Sequence, residues 1–127
     1  MSRVPAPYPL LASTITATFD FQGKATKLLA VKLGRVRKGS TLRMACSGGG
    51  CPFRMRTVKL RRTQRKRTLA HPLGEAKLAR GTRFTVTITR KGTIGTVARY
   101  TMRVKRFPAR TDRCLPPGAK HKARCAA

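Results

Sequence analysis

The sequence predicts an all-β fold: an immunoglobulin- or fibronectin III-like β-sandwich of six to seven short strands, with a disulfide-stapled C-terminal tail. Three observations carry that prediction. Apolar and polar residues alternate in several short runs, which is the period of a half-buried strand. Glycine-bearing turns separate the runs at the spacing of a two-sheet sandwich. The only four cysteines fall into two local pairs, Cys46 with Cys51 and Cys114 with Cys125.

Taken in order, residues 1–13 form a proline-rich extended lead-in, because Pro5, Pro7 and Pro9 forbid a helix. Leu10-Leu11-Ala12 is too short for the apolar core of a secretory signal, and no run approaches a transmembrane span. The sandwich is expected over residues 14–106. Its first strand is 14–21, with Ile15, Ala17, Phe19 and Phe21 on one face. After a turn at Gln22-Gly23-Lys24, a second strand at 26–33 turns Leu29, Val31 and Leu33 inward. Gly34 to Gly39 connects it to a third strand with Leu42, Met44 and Cys46 inward and Arg43 outward.

Cys46-Ser47-Gly48-Gly49-Gly50-Cys51-Pro52 is a tight corner, since three glycines admit positive φ and bring the cysteines together. The chain returns through Phe53 and Met55 in one phase and Val58 and Leu60 in the other, so a bulge is expected near Thr57. The dense basic run that follows, Lys59 to Arg67, reads as a hairpin tip or a sheet edge. Residues 69–81 read as a crossover with one helical turn. Phe84, Val86 and Ile88 face inward in the clearest strand, 83–90, and Ala98, Tyr100, Met102 and Val104 in the last, 96–105. From Phe107-Pro108 onward the chain is turn-rich, a basic tail (107–127) closed by a disulfide.

One pattern occurs twice. Val36-x-x-Gly39-Ser40-x-Leu42-x-Met44 matches Leu78-x-x-Gly81-Thr82-x-Phe84-x-Val86: an apolar anchor, a glycine turn and an alternating strand. The second copy resembles the corner of fibronectin type III modules, with Phe84 where a tyrosine would supply a hydroxyl bond. A longer frame comprises Cys46-x4-Cys51-Pro52, Leu78-x-x-Gly81-Thr82, Ile94-Gly95-x-Val97-x-Arg99-Tyr100 and Asp112-x-Cys114-Leu115-Pro116-Pro117-Gly118. It resembles a β-rich domain of exported and cell-surface proteins from high-GC actinobacteria. That resemblance implies compartment and fold and brings no catalytic residues.

The cysteines bear on compartment. Two disulfides suit a short chain, and the local pairing is favoured among three connectivities. Each short loop is worth roughly 2–3 kcal/mol in the chain-entropy model. A zinc site competes weakly, since the 46/51 spacing lies at the edge of the usual knuckle and 114/125 lies outside it; His71 and His121 fall in no ligand repeat. Free thiols are the third alternative. Disulfides imply an oxidising compartment. With no signal in view, the expectation is a piece of a longer exported chain.

Charge bears on partners. Lys and Arg number 30 and Asp and Glu 3, a formal net charge of +27, with a pI near 12.0. Most cations must face water or an external anion, so a polyanion partner is expected. The candidate contacts are Arg54, Arg56, Lys59, Arg61, Arg62, Arg65, Lys66, Arg67, Arg99 and Arg103. An enzyme is not expected, because Asp20, Glu75, Asp112 and the two histidines are scattered and acid–base catalysis needs positioned pairs. Ser47 lacks a nucleophile-elbow context, and Gly48-Gly49-Gly50 lacks the phosphate-loop lysine. No cofactor is expected.

The leading function is a non-enzymatic, monomeric, extracytoplasmic module that contacts anionic cell-envelope polymers. The alternative is a nucleic-acid-binding domain using the arginine-rich strands and loop of 54–67. Aromatics are 6% of the chain, few for a stacking surface, which favours the envelope module. Self-repulsion at this charge opposes compaction. The melting temperature should therefore rise as salt is added from low ionic strength; a flat profile would contradict unrelieved repulsion.

Overall fold

The computed structural model describes residues 9–117, 123 and 125. The lead-in before Pro9 and the tail residues Lys120, His121, Lys122 and Arg124 lie outside the described residues. Among those described, the chain is all-β. Its strands are β1 (Thr14–Gln22), β2 (Ala25–Val36), β3 (Ser40–Ser47), β4 (Met55–Leu60), β5 (Gln64–Ala70), β6 (Lys77–Leu78), β7 (Arg83–Thr89), β8 (Gly95–Arg103) and β9 (Arg106–Leu115).

Two antiparallel sheets result. One has the order β1-β2-β5 with β6 also on β2; the other has the order β4-β3-β7-β8-β9. Their inner faces share one core, in which Leu28, Val31 and Leu33 of the first sheet meet Leu42, Phe84, Val86 and Met102 of the second. The paths β1-β2-β5 and β4-β3-β7-β8 are the neighbour relations of immunoglobulin-like sandwiches. The expected class is the observed one, with β6 and β9 added to the expected strands.

Both additions fill an open edge. β5 and β6 lie successively along the same side of β2, at Ala30–Val36 and at Thr26–Lys27. Residues 71–76 loop out between them in place of the expected helical turn. Leu73 dips into the core and Glu75 pairs with Lys27, so the loop is pinned at both levels. β9 pairs along β8 from Gly95 to Arg103, where a turn-rich tail was expected. Pro108 falls in a register irregularity between Thr101 and Arg103, which suits proline on an edge strand.

Three inward assignments change. Val104 lies in the β8–β9 turn, half-buried, because β8 ends at Arg103. Leu29 is not inward, because the β1–β2 register slips between Thr18 and Phe19 and Leu28 takes the buried position. No bulge occurs near Thr57; β4 pairs without interruption from Leu60 to Met55. Phe53 instead packs on the core from the corner ahead of the strand, and Met55 turns outward, exposed.

The repeated pattern is a repeated device. Val36 ends β2 and Leu78 ends β6, both buried; each is followed by a glycine at positive φ, Gly39 (87°) and Gly81 (85°). The chain then crosses into β3 and β7, which pair with each other in the second sheet. The bonds match: Gly39 N–H donates to Leu60 O and Gly81 N–H to Met102 O, each at 3.0 Å. Ser40 N–H donates to Arg37 O and Thr82 N–H to Ala79 O, each at 3.1 Å.

Both local disulfides are present, with Cα separations of 5.7 Å for Cys46–Cys51 and 4.9 Å for Cys114–Cys125. The first closes the glycine corner, which the second crossover clasps. Ala79 N–H and the Thr82 hydroxyl both donate to Gly49 O. A Cβ at Gly50, where φ is +92°, would stand 2.0 Å from Lys77 O. Gly92 also has positive φ, +76°, but faces open space. Gly92→Ala should therefore cost about 1–2 kcal/mol from backbone strain alone, and Gly50→Ala clearly more. Urea midpoints of the two variants check this; equal shifts would mean that the corner does not pack as described.

Candidate polyanion-binding surface

The surface is built on an edge problem. β4 and β5 are edge strands of different sheets, consecutive in the chain, and charged residues along an edge block further strand pairing. The basic run therefore lies along two neighbouring edges, and Arg61-Arg62-Thr63 crosses between the sheets instead of turning a hairpin tip.

Arg54 sits in the corner ahead of β4, its carbonyl accepting from Cys46 N–H at 2.9 Å. Arg56 lies opposite Met44, on the core-facing side at the strand's end, and its guanidinium stands 4.4 Å over the centre of the Phe53 ring, a cation–π contact. Lys59 lies on the outer face beside Thr41, donating to its hydroxyl at 3.4 Å. On β5, Lys66 pairs with Gly34 and Arg67 with Leu33, so Lys66 faces outward and Arg67 borders the core. Arg61, Arg62, Arg65 and Lys66 are exposed.

At the far end of this flank, three connections converge. Lys38 N–H donates to the Thr63 hydroxyl at 3.0 Å, and Arg90 Nε donates to Lys38 O at 3.1 Å. Arg37 and Lys38, Arg61 and Arg62, and Arg90 and Lys91 thus meet at one pole, all exposed. A shallow depression of about 440 Å³ opens beside them, lined by Thr41, Thr89, Arg90, Lys91, Thr93 and Pro116 among others. Guanidinium, ammonium and hydroxyl donors in one place suit phosphate, sulfate or carboxylate oxygens.

Arg37, Lys38, Arg90 and Lys91 were not among the sequence candidates, since only the folded topology brings their loops to the Arg61-Arg62 link. The remaining candidates lie elsewhere. Arg99 sits on the outer face of the second sheet between Thr85 and Thr111. Arg103 lies at the opposite end, its Nε donating to Phe107 O at 2.7 Å.

The carboxylates lie away from this pole. Glu75 is held below its ordinary pKa, first by the hydrogen bond from Lys27 and then by that ammonium's charge. Asp112 accepts from Arg110 Nε at 2.9 Å. Arg110 also donates to Ile15 O at 2.7 Å and to the Tyr100 hydroxyl at 3.0 Å, so it fastens β9 to β1 across the sandwich. Burial pushes the Tyr100 phenol above its ordinary pKa, with Arg110 opposing. Among the described residues, no group of three or more His, Cys, Asp or Glu side chains is placed to hold a metal ion, and no helix is long and apolar enough to cross a membrane.

Comparison with protein-family models, curated proteins and solved structures found no match to this chain.

Charge position, beyond net charge, should decide retention on heparin. Arg61→Ala/Arg62→Ala/Arg90→Ala should lower the slope of log K against log salt by roughly 2–3, at about one for each cation that no longer meets an anion. Lys24→Ala/Arg80→Ala/Arg106→Ala removes the same charge at the opposite end and should lower it by less than about one. Equal reductions would mean that the pole does not touch the polymer.

Proposed function

We propose that this chain is a non-enzymatic, extracytoplasmic binding module that contacts anionic cell-envelope polymers, as part of a longer exported protein. One observation carries the reading: the basic run of 54–67 lies along two adjacent edges and ends at a pole where three cationic loops meet, with no carboxylate among the described residues there. The two disulfides support an oxidising compartment. Self-repulsion supports a monomer.

The polymer engages through exposed cations and hydroxyls rather than through an enclosed pocket. That contact tolerates chemically different backbones, provided the anions repeat. It weakens steeply with salt, because each ion contact releases bound counterions. The export assignment rests on the disulfides and on the resemblance to actinobacterial surface domains.

Nucleic acid is the second reading, and the observation in its favour is the arginine strip beside Phe53. Phe53 is half-buried on the core and covered by Arg56, so its ring is a poor stacking platform. That contact favours the polymer.

The test has two parts. Intact mass after alkylation, on protein from its native host, should show no reactive thiol until reductant is added. Titration with a purified anionic wall polymer, heparin and DNA should give affinities within roughly tenfold of one another at equal salt. A strong preference for DNA promotes the second reading, and absence of binding at physiological salt would leave the charge inert.

A further inference from the structure

The opposite end of the sandwich carries a different chemistry. The β1–β2 turn, the β6–β7 connection and the β8–β9 turn converge there. Phe21 is the last but one residue of β1 and Phe107 the second of β9, and their rings meet edge to face, centroids 5.3 Å apart. Phe107 is 69% exposed and Phe21 37%. Beside them lies a depression of about 620 Å³ lined by Lys24, Ala25, Ala79, Arg80 and Val104.

Phe107 is exposed for a structural reason. The β8–β9 register is irregular between Thr101 and Arg103, so the ring falls outside the core ladder. Arg103 Nε holds the Phe107 carbonyl, which fixes the backbone beneath it. Lys24, Arg80, Lys105 and Arg106 surround this tip, all exposed. Asp20 is the one acid near it in sequence; it lies opposite Lys27 in the β1–β2 register and alternates away from Phe21.

An exposed apolar pair ringed by cations fits a surface with anions above an apolar layer. We infer that this tip docks on an anionic lipid surface. Phe107 and Phe21 enter the boundary between headgroups and acyl chains, while the lysines and arginines stay level with the phosphates. The rings project from the tip instead of lining a groove, and they meet edge to face. They therefore offer no run of open ring faces on which successive bases could stack.

The chain contains no tryptophan, so Phe107→Trp installs a single tryptophan at the tip, excited selectively at wavelengths where the two tyrosines do not absorb. With phosphatidylcholine vesicles carrying phosphatidylglycerol, its emission should shift to the blue and be quenched by brominated acyl chains. Vesicles of phosphatidylcholine alone should change nothing. Emission that stays at the aqueous position in vesicle-bound protein overturns the inference, leaving plain electrostatic adhesion. So does absence of vesicle binding, or a shift produced by oligothymidine and not by vesicles.

Phe21→Ser/Phe107→Ser should weaken affinity for the anionic vesicles about tenfold or more, with unchanged heparin retention; unchanged vesicle affinity overturns the inference. Phe107→Ser alone serves if the double variant fails to fold. Heparin retention reads the other pole. Failure of insertion therefore leaves the polymer reading standing, and depth measured in fully bound protein does not depend on it.

Discussion

Thirty cations share three carboxylates, and the structure is arranged around that imbalance. Ion pairs cannot hold such a molecule together, and two of its three acids each bond at a point where separate segments meet. Glu75 holds a looped-out connection against β2 through Lys27. Asp112 steadies Arg110, which reaches from β9 to β1 and to Tyr100. Disulfides take over where charge cannot help, at the glycine corner and at the tail. The remaining cations lie on faces, edges and ends, where water and salt screen them.

The two-sheet plan follows from one device used twice. Each crossover starts from a buried apolar residue, turns at a glycine, and enters β3 or β7 with a bulky inward side chain. Because β3 and β7 pair antiparallel, the crossovers sit at opposite ends of the sandwich. They differ in one respect. The Thr82 hydroxyl donates to Gly49 O, whereas Ser40 Oγ is buried without a partner among the described residues. The second crossover is therefore also a clasp on the glycine corner, whereas the first is bound at Lys38 by the cationic loops of its own end.

The legible parts of the sequence were those where packing and pattern agree. β3 and β7 carry alternating sequences because one face of each packs on the core, and Leu42, Phe84 and Tyr100 faced inward as expected, although Val97 beside Ala98 in β8 and Thr87 in β7 are buried as well. The pairing of the cysteines was legible because both loops are local. Failures arose where tertiary context overrides the alternation. Leu28 displaced Leu29 through a one-residue slip that nothing in residues 25–36 announces. β9 has weak alternation and a proline, and it exists because β8 offers a long edge. Leu73 is an ordinary loop leucine until the gap between β5 and β6 draws it into the core. Within the candidate surface, the run of 54–67 was visible as composition. The pole was not, since Arg37, Lys38, Arg90 and Lys91 lie on either side of it in the chain and meet it only through strand order.

Net charge of this size attracts any polyanion at long range and so cannot by itself select one. Selection must come from what accompanies the cations at contact, within the last few ångströms where screening no longer hides local chemistry. Here the two ends differ. One presents threonine hydroxyls and crossing loops beside its arginines, donors able to hydrogen-bond to anions. The other presents two phenylalanines and a floor of small apolar residues, which gain nothing from a hydrated polymer and much from leaving water. A uniformly basic field would bring a molecule to an anionic surface in any orientation; on the proposed reading, the unequal ends would give this one a preferred orientation.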